Sequence, residues 1–582
     1  WGWLAEAQGR YYMTFEVSGA QLPPLESLTP GSTVSLPTML GAARTFTVAE
    51  VGAAKYVAAN GELPFRLVPD GFYRFVDLAD GEGNFATIDY GEPGDEPTLY
   101  TGKQLTLADL QISGGEVGPP RDETIKSTRL ACPNCNAPIE LHSPDTLRAA
   151  CGYCSHLLDV QSGTLHVLEQ LRKAAPRIPL GTKATFSEGE MLVIGYVERS
   201  AQVEGEWYLF EEYLLYEPAI GFRWLVNSDG HWSYVQPVAV GAVELAGTGA
   251  KYDGVKFRLF QGAQLRVNTV VGEFYWQVKA GEQVWGDDYV APPAMLSKES
   301  STGEENWSLS SYLKPSELKV ALGNKPEFDF GNGTGVAPNQ PNRAGAAATP
   351  LTLGFVALLV LGIVFSALAP ATEKYTQVAN IPAGTPVPPA ETEPVSDVNP
   401  PNVFFSEPFQ LEADKNVELG FRASLANNWA YVVASLVNVA SGDVATVDAS
   451  MEHYAGVDDG ESWSEGKDYD TEVIGPLAAG QYVLRLEMQH GASSGEVPLT
   501  VRVRQGVFRA RYLGWAMVVL GIPFLLLGVY TYSFERRRWS NSTQGASSMP
   551  KTPLVIVIGG VALLLAGIVA IIKAIAESSG DD

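Results

Sequence analysis

The sequence predicts a mostly β, multidomain membrane protein: two β-rich modules flank a four-cysteine zinc ribbon, and an extracytoplasmic β-sandwich and three transmembrane helices complete the chain. Three observations support this prediction. The 582-residue chain has only four cysteines, and they form two closely spaced pairs. Many segments alternate apolar and polar residues, as half-buried strands do. Three stretches lack charged residues for long enough to cross a bilayer, which takes about 20 apolar residues.

Length and charge narrow the class of protein further. At roughly 100 to 200 residues per domain, the chain is too long for a single core. Its 40 Lys+Arg against 66 Asp+Glu give a formal charge of −26. A nucleic-acid binder needs a basic surface to neutralise phosphates, so this balance argues against nucleic acid as a partner. The acid is concentrated in residues 371–506, with 7 basic and 20 acidic residues.

Residues 1–127 and 177–312 are predicted to be two copies of one antiparallel β module. Alternation typical of strands occurs, for example, in residues 12–17 and 256–260. Six landmarks recur in the same order, which favours duplication over chance recurrence of aromatic strand pairs. In the first copy they are Trp3-Leu4, Gly9, Tyr11, Phe72-Tyr73, Gly81-Glu82 and Asp89-Tyr90. In the second they are Trp224-Leu225, Gly230, Trp232, Phe274-Tyr275, Gly281-Glu282 and Asp288-Tyr289.

The two copies differ in how they begin. The second has a long strand-rich lead-in from about Arg177, whereas the first starts directly at Trp1, which is not methionine. We therefore expect copy 1 to be N-terminally incomplete.

All four cysteines lie in a predicted zinc ribbon, residues 128–160. The pairs are Cys132-Pro133-Asn134-Cys135 and Cys151-Gly152-Tyr153-Cys154. Two CxxC pairs at this separation are typical of tetrahedral zinc sites, in which four thiolates leave no open position for catalysis. The predicted metal ligands are therefore Cys132, Cys135, Cys151 and Cys154, with zinc in a structural role. Two disulfides, or a redox-active CxxC, are the alternatives.

Other residues of the ribbon add little to this site. Because four thiolates complete the coordination, His142 and His156 are interpreted as surface histidines. Residues 131–175 have only three fixed cations, Arg148, Arg172 and Lys173, too few to hold a phosphate backbone. A spacer or protein-docking surface is the better interpretation.

Three features together point to a known family. They are the two CxxC pairs, the flanking modules of the Gly-Trp-Leu-Ala-Glu-Ala-Gln-Gly type and the later membrane helices. The chain resembles an uncharacterised bacterial family of membrane-anchored zinc-ribbon proteins with a duplicated β-rich domain of unknown function, over roughly residues 1–312. Genes of that family are linked to phage-shock-protein-A-like membrane remodellers and to polyamine synthesis. The resemblance implies an envelope-associated role and supplies no catalytic residues.

Three transmembrane helices are predicted at residues 351–370, 512–534 and 553–573. Linkers rich in Pro, Gly, Asn and Ala are predicted before and after the first, at 313–350 and 371–401. Gly514, Gly521 and Gly528, and likewise Ala562, Ala566 and Ala570, have the spacing of small-residue contact strips between helices.

Cations beside short loops mark the cytoplasmic side of a membrane protein. The loop between the second and third spans is rich in them: Arg536, Arg537, Arg538 and Lys551. This predicts a multi-pass protein of the bacterial inner membrane, with residues 1–350 cytoplasmic and 371–506 extracytoplasmic.

The acidic outer domain is predicted to be a β-sandwich spanning residues 402–506. Its acidic segment contains Asp458, Asp459, Glu461 and Glu465. Calcium needs six to eight oxygen ligands, and the order of an EF-hand is lacking, so a solvated strand connection is favoured. Attraction of cations, including polyamines, by the summed field is a further hypothesis.

Catalytic residues are not identifiable. Gly491-Ala492-Ser493-Ser494-Gly495 fits GxSxG, but it joins two predicted strands, and a nucleophile elbow needs a strand-turn-helix setting. Two functions remain open. The first is a non-enzymatic membrane scaffold or sensor that docks protein partners, within a larger membrane assembly or a homo-oligomer. The second is an enzyme or enzyme subunit whose site is completed by a missing N-terminus or a partner.

Overall fold

The computed structural model describes residues 2–7, 10–39, 41–56, 62–63, 71–105, 109, 128–161, 164–323, 337–342, 344–368, 371–383, 402–491 and 495–579. The chain divides into two compact units. Unit 1 comprises residues 1–343 and 533–550, and unit 2 comprises residues 344–532 and 551–582.

Unit 1 begins with a seven-stranded antiparallel sheet. Its strands are β1 (Gly2–Ala7), β2 (Arg10–Glu16), β3 (Thr33–Pro37), β4 (Ala43–Lys55), β5 (Phe72–Ala79), β6 (Asn84–Gly91) and β7 (Thr98–Leu105). Their order in the sheet is β1-β2-β7-β6-β5-β4-β3. Alternate residues are buried, as in Ala86, Ile88 and Tyr90 of β6. One face of the sheet therefore carries the core of this module.

The four-cysteine segment follows as five short strands. They are β8 (Thr128–Ala131), β9 (Pro138–Leu141), β10 (Arg148–Ala150), β11 (His156–Gln161) and β12 (Thr164–Gln170). Strands β8 and β9 pair only with each other, whereas β10, β11 and β12 extend the large sheet of the next module.

That next module is an eight-stranded barrel with additions. Its strands are β13 (Lys183–Phe186), β14 (Gly189–Val203), β15 (Glu206–Glu217), β16 (Gly221–Ser228), β17 (His231–Val238), β18 (Glu244–Ala246), β19 (Gly249–Tyr252), β20 (Val255–Phe274), β21 (Gln283–Ala291), β22 (Ala294–Ser300) and β23 (Glu305–Leu313). The ring runs β14-β15-β16-β17-β23-β22-β21-β20, and β20 pairs with β14 to close it. Helix α1 (Pro315–Ala321) follows.

The long strand β20 makes closure possible. Its first part pairs with β21 and its last part with β14, with bulges in both ladders where a strand must bend. Gly272 lies where β14 and β20 meet. Its φ is 93°, and a Cβ there would lie 2.2 Å from the carbonyl oxygen of Ile194. Only glycine permits this close approach.

The first sheet and the barrel share one pairing path. The neighbours β1-β2-β7-β6-β5-β4 correspond in order to β16-β17-β23-β22-β21-β20. The aromatic landmarks at the start follow this path, since Trp3 lies on β1 and Trp224 on β16. The later landmarks do not, because Asp89-Tyr90 lies on β6 whereas Asp288-Tyr289 lies on β21. The matching of those later landmarks was therefore wrong by one strand; Gly9 lies outside the described residues.

Unit 2 contains two sheets around one hydrophobic core. The strands are β24 (Thr372–Ile381), β25 (Val403–Phe405), β26 (Phe409–Leu411), β27 (Val417–Ala423), β28 (Asn428–Asn438), β29 (Val444–Asp458), β30 (Glu461–Lys467), β31 (Tyr469–Ile474), β32 (Gly480–His490) and β33 (Val497–Gln505). One sheet has the order β24-β33-β27-β31, and the other has β25-β32-β28-β29-β30 with β26 also on β32. Leu419 and Val501 of the first sheet and Val432 and Leu484 of the second belong to the same buried cluster.

Three long apolar helices are present: α2 (Gly345–Leu368), α3 (Ala510–Ser540) and α4 (Thr552–Ser579). Among the described residues, two of them qualify as candidate membrane spans, Tyr512–Ser540 and Thr552–Lys573. The expectation of three spans is therefore not supported. In α2 the apolar segment found among the described side chains is Pro350–Gly362.

The predicted linkers need correction too. Within 313–350 the structure has α1 and the start of α2, because residues 315–321 form a short helix whose Leu318 is buried. Within 371–401, residues 372–381 form β24, which pairs along its length with β33. The remaining residues of the second linker, 384–401, lie outside the described part of the chain.

The glycine strip of α3 lies against α4. A Cβ on Gly514 would come within 3.0 Å of the carbonyl oxygen of Gly567, and one on Gly528 within 3.2 Å of the amide nitrogen of Val557. On α4 the residues that face α3 include Gly560 and Gly567 together with Leu564 and Ile571, whereas Ala562 and Ala566 are exposed. The predicted alanine strip is therefore not the side of α4 that faces α3.

Candidate metal centre

The four cysteines come together in space. All are free, and their four Sγ atoms lie within 4.8 Å of one another. The Sγ atoms of Cys132 and Cys154 are 3.7 Å apart, as are those of Cys135 and Cys151. A bonded disulfide has its sulfurs about 2.05 Å apart, so neither pair is joined. One metal ion could contact all four.

Each CxxC forms the same tight turn. In the first, the amide of Asn136 donates to the carbonyl of Cys132 at 2.8 Å, and in the second Ser155 donates to Cys151 at 2.9 Å. Asn136 and Ser155 both have φ of 58°, the left-handed conformation needed to reverse the chain. The two turns therefore present their cysteines in equivalent ways.

Protein groups around the cysteines affect their ionisation. Burial raises the pKa of the Cys151 thiol to about 12. Desolvation also opposes ionisation of Cys154, but hydrogen bonds from the Asn134 side chain and the His156 backbone outweigh it and lower the pKa of that thiol to about 6. Cys154 is thus ready to bind a cation, whereas Cys151 would need one to become a thiolate.

The two nearby histidines differ from each other. His156 contacts the side chain of Asn134 at 3.2 Å and lies outside the sulfur cluster. His142 is not a surface histidine, since its side chain is only 17% exposed and its Nδ1 lies 2.7 Å from Oε1 of Glu273. The prediction of a surface position was therefore wrong for His142. Its partner Glu273 is 131 residues away in sequence, so no local pattern indicated the contact.

Glu273 joins the four-cysteine segment to the barrel. Its side chain is 1% exposed. The carboxylate accepts hydrogen bonds from the amide of His142 at 2.8 Å, the amide of Ser143 at 3.2 Å and the hydroxyl of Thr146 at 2.7 Å. A buried carboxylate is tolerated only when donors surround it in this way. Sequence reasoning missed Glu273, whose one signal is a lone acid in the apolar run Val270-Val271-Gly272-Glu273-Phe274.

Backbone pairing and apolar packing support the same junction. Strand β10 pairs with the end of β20, so that Ala149 lies opposite Glu273. Ala150, Leu157 and Leu171 then pack into a buried cluster with Phe274 and other barrel residues. The four-cysteine segment is therefore a continuation of the barrel sheet.

The barrel interior contains a charged cluster that the sequence analysis did not identify. Arg199 of β14 contacts Glu299 of β22 at 2.7 Å and Glu212 of β15 at 3.3 Å. Since β20 and β21 separate β14 from β22 around the ring, only inward-pointing side chains can make the first contact. Asp288 of β21 lies near this pair and accepts a hydrogen bond from Ser297 at 2.6 Å.

The cluster has more acid than base. Burial raises the pKa of Asp288 to about 6, and it also raises the pKa of Glu212, which Arg199 opposes. Perturbed carboxylates inside a barrel can mark a functional site or a structural ion network. Arg199 is bonded to two of the three acids, which favours the structural role.

One open cleft of unit 1 is lined by charged residues that already pair with one another. It has a volume of about 410 Å³ and is lined by residues that include Arg44, Asp80, Glu82 and Glu244. Asp80 already accepts hydrogen bonds from the amides of Glu82 and Asn84 and from the side chain of Asn84. Arg44 contacts both Asp80 and Glu82. These groups hold a turn in place.

Two further predicted features can be located. The acidic segment of unit 2 is the turn between β29 and β30, where Asp459 and Gly460 have positive φ. Among the described residues, the four cysteines are the one metal-suited group of three or more ligands. The middle of the GxSxG segment, residues 492–494, lies outside the described residues.

Comparison with known proteins adds one match. Residues 179–315 match the model of a domain of unknown function (DUF4178). No curated protein matches the chain. The matched residues contain all eight strands of the closed ring, from β14 to β23. They therefore also contain Arg199 and Glu273. The barrel of this chain is therefore similar to a domain of unknown function, and the match covers less than half of the sequence.

Proposed function

We propose that this protein is a non-enzymatic, membrane-anchored scaffold or sensor of the bacterial envelope. It docks protein partners through its β modules and a structural zinc ribbon. The observation that supports this most is the junction at Glu273, which fixes the four-cysteine segment to the end of β20 in the barrel. A ribbon held in this way presents a fixed surface, as a docking element requires.

Zinc is the metal that suits this centre best. Four thiolates at tetrahedral positions with Zn–S bonds of about 2.3 Å lie about 3.8 Å apart. Two of the sulfur–sulfur separations, at 3.7 Å, match this value, and all four sulfurs lie within 4.8 Å of one another. Bound there, zinc would hold the two turns together with no position left for substrate, since Cys132, Cys135, Cys151 and Cys154 fill its coordination.

Membrane anchoring rests on the apolar helices. We assign α3 and α4 as spans and retain α2 as a third, giving a multi-pass inner-membrane protein. Residues 533–550, which are the end of α3 and the loop after it, belong to the same compact unit as residues 1–343. This is expected if both lie on the cytoplasmic side, with residues 371–506 outside.

Protein partners are favoured over nucleic acid. Of the three fixed cations at the ribbon, Arg148 is paired with Asp159 and Arg172 with Glu198. Paired cations are poorly available to phosphates. Assembly with other membrane proteins, or with further copies of this chain, fits this surface better.

An enzyme or enzyme subunit is the second candidate. The buried cluster of Arg199, Glu212, Asp288 and Glu299 is the observation that favours it, because raised carboxyl pKa values suit general acids. The family that the chain resembles has genes linked to polyamine synthesis, and a polyamine is a cation that would suit a cluster with more acid than base. Isothermal calorimetry of the full chain with spermidine tests this candidate, and the absence of heat of binding would remove it.

The scaffold proposal is tested by isolating the chain from membranes in mild detergent and identifying bound proteins by quantitative mass spectrometry. A Cys132→Ser variant serves as the comparison because it removes one metal ligand. We expect specific proteins to be enriched with the natural chain and reduced at least fivefold with the variant. If no protein is enriched, or if enrichment is equal for both, docking through the ribbon is contradicted.

A further inference from the structure

The last residues of α3 and the loop that follows it, residues 538–549, pack against the barrel of unit 1. Trp539 is 2% exposed and forms a buried cluster with Phe260 and Val290, against which Met295 and Met549 also pack. The rings of Trp539 and Phe260 have their centroids 5.5 Å apart. Burial of an indole is among the largest apolar contributions that one side chain can make.

The same loop is hydrogen-bonded to one short part of β20. Ser542 donates to the carbonyl of Phe260, and the amide of Gly262 donates to the hydroxyl of Thr543 at 3.2 Å. Phe260 is the residue skipped by the bulge between Leu259 and Gln261 in the β20–β21 ladder. Its carbonyl is therefore free to accept from the loop instead of from β21.

Trp539 contacts the inner face of the barrel. Side chains alternate along a strand, so Val290 points to the same side of β21 as Asp288. Met295 lies opposite Val290 in the β21–β22 pair. Since Asp288 belongs to the charged cluster around Arg199, the indole lies over the same interior that this cluster occupies.

The charged cluster inside the barrel contains an unsatisfied buried group. Arg199 is 9% exposed, and its Nε has no hydrogen-bond partner in the described structure. A buried donor without an acceptor is costly, and water entering the barrel would satisfy it. Burial of Trp539 therefore favours the closed state, whereas hydration of the cluster favours an open one.

We propose that residues 538–549 are a reversible plug of the barrel, whose withdrawal opens the charged interior to water. The ends of this plug continue directly into α3 and α4. A shift of those helices along their axes would thus be transmitted to Trp539. This device belongs to the barrel and the loop, and it holds whether or not a partner protein docks on the ribbon.

The test is the accessibility of Val290, which is 4% exposed in the cluster with Trp539. A Val290→Cys variant of the full chain, in detergent micelles, is treated with maleimide, and peptide mass spectrometry separates the introduced thiol from the four native ones. We expect slow but complete labelling in a single exponential phase. Adding Trp539→Ala should raise the rate at least tenfold. Adding Trp515→Ala, which changes an exposed tryptophan earlier in α3, should leave it within twofold.

A second, milder variant distinguishes withdrawal of the plug from misfolding of the Trp539→Ala variant. Thr543→Val retains the indole and removes one hydrogen-bond acceptor, so it should raise the labelling rate about threefold. Equal rates with and without Trp539 would overturn the plug. Complete protection in the natural background, with fast labelling only in the variants, would show a static stopper and overturn reversibility.

Discussion

Replacing Glu273 by alanine should release the four-cysteine segment from the barrel without removing a cysteine. The carboxylate is the shared acceptor for the amides of His142 and Ser143 and for the hydroxyl of Thr146. Alanine accepts none of these bonds. The donors would remain buried at the junction unless the 142–146 turn moved into water.

The size of the effect follows from these contacts. Each hydrogen bond to a charged group contributes about 1.5–3 kcal/mol, and an unsatisfied buried donor costs about 1–3 kcal/mol. Because the turn can move into water, we expect about 3–5 kcal/mol at the junction rather than the full sum of these contributions. Every 1.4 kcal/mol is a factor of ten in an equilibrium.

Hydrogen exchange measures this local opening directly. In Glu273→Ala the amides of His142 and Ser143 should exchange at least a hundredfold faster, while β28 of unit 2 keeps its protection. Glu282→Ala, at an exposed glutamate in the β20–β21 turn, is the matched control and should change exchange at the junction less than threefold. An unchanged rate at His142 and Ser143 in Glu273→Ala would refute the role assigned to this carboxylate.

Three other predictions concern different parts of the chain. Arg199→Met should destabilise the barrel by about 3–5 kcal/mol in denaturant unfolding, because Glu212 and Glu299 lose the buried guanidinium that they contact. A loss of stability below about 1 kcal/mol would contradict this. Because burial raises the pKa of Asp288 to about 6, this group's contribution to stability is greatest below pH about 4 and is lost as pH rises through about 6. Asp288→Asn should flatten that part of the stability–pH curve, and an unchanged slope would argue against burial as the cause. Gly514→Leu should increase hydrogen exchange in α3 and α4, since its side chain meets the backbone of Gly567, whereas Trp515→Leu should not.

The sequence was informative where the signal is local. Two CxxC pairs predicted the sulfur cluster because each turn is formed by neighbouring residues. Alternation predicted β structure for both modules and for residues 402–506, and long apolar runs predicted α3 and α4. The third predicted span stays a prediction, because the candidate spans found among the described residues lie in α3 and α4.

Features that depend on distant residues were not predictable in this way. Closure of the barrel requires β20 to pair with both β14 and β21, which no local pattern specifies. The partner of Glu273 is 131 residues away, and Arg199 and Glu299 are 100 residues apart. The later repeat landmarks failed for a related reason, because similar aromatic pairs occur on neighbouring strands of one antiparallel sheet.

The central claim is that four thiolates hold one structural zinc ion in a ribbon that continues the barrel sheet. Metal analysis of the purified full chain by mass spectrometry, beside a Cys132→Ser variant, tests it most directly. We predict one zinc per natural chain and a clear loss of zinc in the variant. A natural chain without zinc, or a variant that keeps the same zinc content, would contradict the claim.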